Sequence, residues 1–154
     1  MKTNLRALTL VLLSFLSVAG LARLAGAEGV SLACLGGERL SDGDLSRGTT
    51  IVVIWASWSP RSRDVVQRIN PIASRWKGSA RVMTVNFQEE RQTVEGFLAG
   101  KGLGAPVCLD PDGLFSRKYN VATLPVLLVV KDGQVAYRGK LPDDPDTVIA
   151  GVLH

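Results

Sequence analysis

Two hydroxyls three positions apart, Ser59 and Ser62, are the first side chains of this chain to weigh for chemistry. They stand in Trp55-Ala56-Ser57-Trp58-Ser59-Pro60-Arg61-Ser62, after the apolar run Ile51 to Ile54 and before a helical pattern. A pair so placed lies on a strand-to-helix turn, at the positive end of the helix dipole. That setting activates a thiol, whose pKa it can bring to ambient pH, and does little for an alcohol. A nucleophilic serine also needs a base, and the single histidine is the terminal His154. No catalytic residue is therefore expected at this turn. Ser59 reads as a helix N-cap, with Pro60 at the first helical position and Ser62 filling the first turn.

The other nucleophiles are Cys34 and Cys108, distant in sequence and outside any metal-ligand spacing. Three readings are open for them: a structural disulfide, two separately buried thiols that pack as small hydrophobes, or a redox-active pair. The histidine and cysteine content gives no metal site, and the sequence implies no cofactor.

The elements that must hold these residues follow from periodicity. Val30 to Cys34 and Glu38 to Leu40 flank Gly36-Gly37 as a hairpin. Thr50 to Trp55 reads as a buried central strand and Arg81 to Phe87 as the next strand. Val65, Val66, Ile69, Ile72, Ala73 and Trp76 recur at helical spacing, with a kink expected at Pro71. A helix over Glu89 to Ala99, an extended Pro106 to Asp110 and a short helix over Leu114 to Tyr119 come next. Val126 to Val130 and Gln134 to Arg138 form a hairpin across Lys131-Asp132-Gly133, and Asp144 to Leu153 is a closing helix. Strands alternating with helices and then a hairpin indicate a three-layer α/β domain.

Residues 1–27 have a basic start at Lys2 and Arg6, an apolar stretch over residues 7–22 and small residues at Ala25-Gly26-Ala27. They read as an export signal cleaved after Ala27, the alternative being an N-terminal membrane anchor that tethers the chain through residues 7–22. Residues 28–154 are then one domain outside the inner membrane, most simply in a bacterial periplasm. Setting Lys2, Arg6 and Arg23 aside leaves 15 basic against 14 acidic residues, so the charge gives no case for nucleic acid. Arg61, Arg68 and Arg75, spaced by seven, read as one helix face, either solvated or partner-docking.

Four phrases together resemble the exported TlpA/ResA-type branch of the thioredoxin-like superfamily. They are the entry Leu45-Ser46-Arg47-Gly48, the Trp-Ala-Ser-Trp-x-Pro turn, Pro106-Val107-Cys108-Leu109-Asp110-Pro111-Asp112-Gly113, and Tyr119-Asn120-Val121-Ala122-Thr123-Leu124-Pro125. The resemblance spans roughly Val30 to Leu153. It implies a thioredoxin-like three-layer sandwich, with a mixed central sheet, an N-terminal hairpin and an inserted strand-helix segment. It implies a cis peptide bond at Pro125 and cysteine where this chain has Ser59 and Ser62. It also implies a surface, formed by Trp58, Ser59, Pro60, Arg61, Thr123, Leu124 and Pro125, that receives an extended peptide. The expectation is an exported protein that has lost disulfide exchange and binds or escorts an extracytoplasmic protein or peptide client. The rival is a thiol-disulfide oxidoreductase of the cell envelope acting through Cys34 and Cys108, in redox homeostasis or cytochrome maturation.

Overall fold

The computed structural model describes residues 29–154. The segment read as a signal or anchor lies outside them.

β-Branched and apolar runs make the centre of the fold. β3 (Thr49–Trp55) is flanked by the parallel β4 (Arg81–Phe87) and the antiparallel β6 (Val126–Lys131). β5 (Val107–Asp110) extends one edge and β7 (Gln134–Lys140) the other, giving the order β5-β4-β3-β6-β7. β1 (Ser31–Ala33) and β2 (Arg39–Ser41) form a separate antiparallel hairpin.

Because side chains alternate along a strand, the central strands supply two cores. Ile51, Val53 and Trp55 face one side, where α2 (Val65–Trp76), α3 (Arg91–Leu98) and α5 (Pro145–Leu153) cover them. Val52 and Ile54 face the other, with Met83, Val85, Leu128 and Val130, under the hairpin and α4 (Leu114–Lys118). Helices, sheet, and hairpin with short helices are the three layers. The mixed thioredoxin-like sandwich expected from the sequence is what the chain forms. Among the described residues no helix is long and apolar enough to cross a membrane.

Local chemistry sets the boundaries. The β6–β7 turn places Asp132 and Gly133 at positive φ, 48° and 80°, the geometry that favours Asp-Gly in a two-residue hairpin. On that arginine face Arg68 is partly buried and Arg75 is exposed. Arg68 donates to the carbonyls of Leu141 (2.8 Å) and Pro142 (3.0 Å), and Arg75 faces Asp146 at 3.5 Å, so both tie α2 to the segment entering α5. Arg61 precedes α2 and belongs to neither contact.

α1 (Asp42–Leu45) begins with a capping box: the Ser41 amide donates to Asp44 at 2.8 Å and the Asp44 amide to Ser41 Oγ at 3.3 Å. The Ser41 hydroxyl, then the Ser41 amide, then Arg81 hold the Asp44 carboxyl at a pKa of about 2, against 3.8 ordinarily. A lowered carboxylate pKa stabilises the fold above the ordinary value, and the contribution is lost as pH falls from about 3.8 to about 2. Asp44 is one-third exposed, so solvent screening keeps the effect to about 1 kcal/mol or less. In urea unfolding, the stability gap between wild type and Asp44→Asn is expected to narrow as pH drops through that window.

Candidate functional site

The turn after β3 is built by main-chain bonds. The Ser59 amide donates to Ala56 O (3.2 Å), and the Ser62 amide donates to Ser59 O (2.9 Å) around a single 3₁₀ turn, Pro60–Ser62. The expected α-helical start at Ser59 is corrected. Ser59 makes no side-chain cap bond, and the α-helix proper starts at Val65 behind Asp64. Its hydroxyl instead points to Leu124 O at 3.5 Å. Ser62 is fully buried, and its Oγ has no hydrogen-bond partner.

The Leu124–Pro125 peptide bond is cis, as the resemblance implied. Its loop lies against the turn and separates two grooves. One, of about 300 Å³, is walled by Trp58, Ser59, Phe87, Val121, Thr123 and Leu124. Trp58 is 60 % exposed and packs on Phe87 with ring centroids 6.4 Å apart. The other groove, of about 330 Å³, has Arg61, Leu124, Pro125 and Lys140 in its wall. The structure thus gathers Trp58, Ser59, Pro60, Arg61, Thr123, Leu124 and Pro125 around one end of the sheet.

A buried glutamate beneath this turn escaped the sequence reading. Glu89 Oε2 accepts from the Ser57 amide and from Asn86 Nδ2, each at 2.7 Å, and Oε1 accepts from the Ser57 hydroxyl. One carboxylate therefore fixes the residue before Trp58 to the end of β4. Asn86 and Glu89, polar residues three apart at a strand end, were the available signal. Glu89→Ala strands these donors in a buried place and is expected to cost about 3 kcal/mol. Urea unfolding would measure the loss, and a shifted Trp58 fluorescence would report the loosened turn.

The cysteines form the second constellation. Cys34 and Cys108 are joined by a disulfide, 74 residues apart in sequence, where the end of β1 meets edge strand β5 in an antiparallel bridge. Both are buried, at 1 % and 0 % exposure. They share an apolar cluster with Leu32, Val85 and Phe115, against which Phe87, Val121 and Leu124 of the first groove also pack. The disulfide and that groove therefore occupy the same face of the sheet. The side chain of Arg91, at the start of α3, reaches the carbonyls of Cys34 and Leu35, each at 3.5 Å. In β5, two residues beyond Cys108, the buried Asp110 carboxylate accepts from the amides of Phe115 (3.1 Å) and Ser116 (2.9 Å).

The family model for Redoxin matches residues 22–153, nearly the whole sequence. The chain belongs to the Redoxin family. Among curated proteins, this redoxin is 25 % identical over 87 residues to sporulation thiol-disulfide oxidoreductase A of Bacillus subtilis (strain 168). That alignment takes in 54 % of the chain and 53 % of the relative, so the chain spans about half the length of the curated relative it matches. Among solved structures it resembles the exposed lipoprotein thioredoxin Etrx1 of Streptococcus pneumoniae. The TM-score is 0.70, with 18 % identity over 80 % of this chain and 97 % of that one. It also resembles a thiol:disulfide interchange protein of the thioredoxin family from Chlorobium tepidum. There the TM-score is 0.67, with 20 % identity over 82 % and 94 % of the two chains. At those identities the structural likeness is one of fold.

These findings overturn the leading expectation. A redox-inactive chain that only binds or escorts a client was inferred from the serines of one turn. The chain instead carries a formed disulfide elsewhere on the fold, belongs to the Redoxin family and is similar to a curated thiol-disulfide oxidoreductase. The reading failed because it located the chemistry by position in the motif. The sulfurs come together through tertiary structure.

Proposed function

We propose that this redoxin is a thiol-disulfide oxidoreductase of the cell envelope whose exchanging pair is Cys34 and Cys108. The observation that carries this reading is the disulfide between them, in a chain whose family motif has Ser59 and Ser62 where the resemblance puts cysteines. An alcohol cannot form the mixed disulfide through which exchange proceeds, so the only sulfurs able to do so are these two.

Exchange balances as a two-electron transfer. A client thiolate bonds to one sulfur of the pair and the Cys34–Cys108 bond breaks, releasing the other sulfur as a thiolate. A second client thiolate then displaces the first protein sulfur. The client gains a disulfide, the pair becomes two thiols, and the reverse sequence reduces a client disulfide. An extracytoplasmic setting suits the pair because disulfides persist there, and the leader read in residues 1–27 supports it. The clients are exported proteins or peptides bearing cysteines. The groove beside Trp58 and the Thr123-Leu124-Pro125 loop is the surface that holds them.

The test is insulin reduction by the full-length chain in a glutathione buffer. Turnover well above the uncatalysed rate is expected, and turnover at the background rate would contradict the reading. Trp58→Ala is expected to raise KM for insulin several-fold and to leave the reaction with oxidised glutathione, which is too small to use the groove, within twofold of wild type.

A further inference from the structure

We propose that Cys34 is the sulfur that exchanges with the client and Cys108 the resolving one. The assignment rests on the redox role given to this disulfide above. It follows from what stands on either side of the bond. A thiolate attacks a disulfide along the sulfur–sulfur axis, from behind the sulfur it strikes. Behind Cys108 lies the sheet itself: Cys108 is in register with Val85 of β4, and Met83, Val85 and Phe115 fill the cluster around it. On the Cys34 side, strand β1 gives way to a hairpin tip. The Cys34 amide donates to Glu38 O (2.9 Å) and the Gly37 amide to Cys34 O (3.2 Å), closing a turn whose Gly36, Gly37 and Glu38 are exposed.

The two sides also differ in how firmly they are held. β5 is hydrogen-bonded to β4 along its whole length, over register pairs from Thr84↔Val107 to Phe87↔Asp110. The tip meets β5 only at the isolated Cys34–Cys108 bridge and through Leu35 N–H to Val107 O at 2.8 Å, among the described residues. The two long Arg91 contacts supplement these. Segments with so few ties open first. An outward swing of the tip uncovers the Cys34 sulfur and leaves Cys108 in place.

In the exchange step the incoming thiolate bonds Cys34 Sγ, the Cys34–Cys108 bond breaks, and the electron pair departs on Cys108 Sγ, which takes a proton from solvent.

The test uses the oxidised full-length chain, reduced glutathione as probe, an acid quench, N-ethylmaleimide blocking and tryptic mass mapping. Cleavage after Arg23, Arg39, Lys101 and Arg117 places the two cysteines on separate peptides. Glutathione is expected on Cys34 at least tenfold over Cys108, with N-ethylmaleimide on Cys108. Glutathione mainly on Cys108, or equally on both, would overturn the assignment and leave the redox function standing. No adduct on the folded chain, with ready reduction in urea, would overturn both. As an independent readout, the lone thiol of Cys108→Ala is expected to form a mixed disulfide with oxidised glutathione at least tenfold faster than that of Cys34→Ala. If either variant fails to fold, the wild-type mapping decides.

Discussion

Reduction of the Cys34–Cys108 bond is expected to lower the stability of the fold by about 4 kcal/mol. The bond spans 74 residues, and a cross-link closing a loop of that size removes that much chain entropy from the unfolded state at room temperature. The folded state compensates little, because the rest of the sheet is hydrogen-bonded independently of the hairpin. For a domain whose total stability is of the order of 5–15 kcal/mol, this is a large share. Urea unfolding of the full-length chain with and without a phosphine reductant measures it, and the midpoint should fall by about 2 M. The Cys34→Ala/Cys108→Ala double variant should match the reduced protein. Equal midpoints for the oxidised and reduced chains would contradict the expectation.

On the proposed function, the same coupling bears on electron flow. A disulfide that stabilises its fold by about 4 kcal/mol is harder to reduce than an unstructured one by about 90 mV, since 30 mV of a two-electron couple corresponds to about 1.4 kcal/mol. The reduced pair is then expected to give two electrons to an unstructured client disulfide.

The second large effect concerns activity. In stoichiometric transfer without glutathione, Cys34→Ala and Cys108→Ala are each expected to lower insulin reduction at least a hundredfold, because the lone thiol left has no intramolecular partner to release the client from a mixed disulfide. Ser59→Ala and Ser62→Ala are expected to stay within twofold of wild type. Ser59 Oγ offers only a 3.5 Å contact to Leu124 O, and Ser62 Oγ bonds to nothing. A loss in Ser59→Ala equal to that in Cys34→Ala would return the chemistry to the turn after β3.

Much of the fold was legible because local signals agreed with the global one. Arg81–Phe87 is the strand the sequence predicts, residue for residue, and Asp132-Gly133 is the turn. The cis bond before Pro125 followed from the resemblance. What was not legible depends on contacts made at long range. Cys34 and Cys108 meet only because β1 docks antiparallel on the outer edge of β5, and nothing in either local phrase encodes that docking. Glu89 reads locally as the start of a helix, and its partner Ser57 is 32 residues away. Ser59 was read as a cap because Ser-Pro commonly opens an α-helix. A 3₁₀ turn intervenes, and its geometry turns the hydroxyl towards the proline loop.

The most direct measurement is stoichiometric transfer. Reduced full-length chain would be mixed with equimolar insulin, quenched in acid at intervals, and both partners' thiols counted by mass after alkylation. One client disulfide should disappear for each Cys34–Cys108 bond that forms, while the Ser59→Ala/Ser62→Ala variant behaves alike. Insulin disulfides that stay intact while the Cys34 and Cys108 thiols remain reduced would contradict the account.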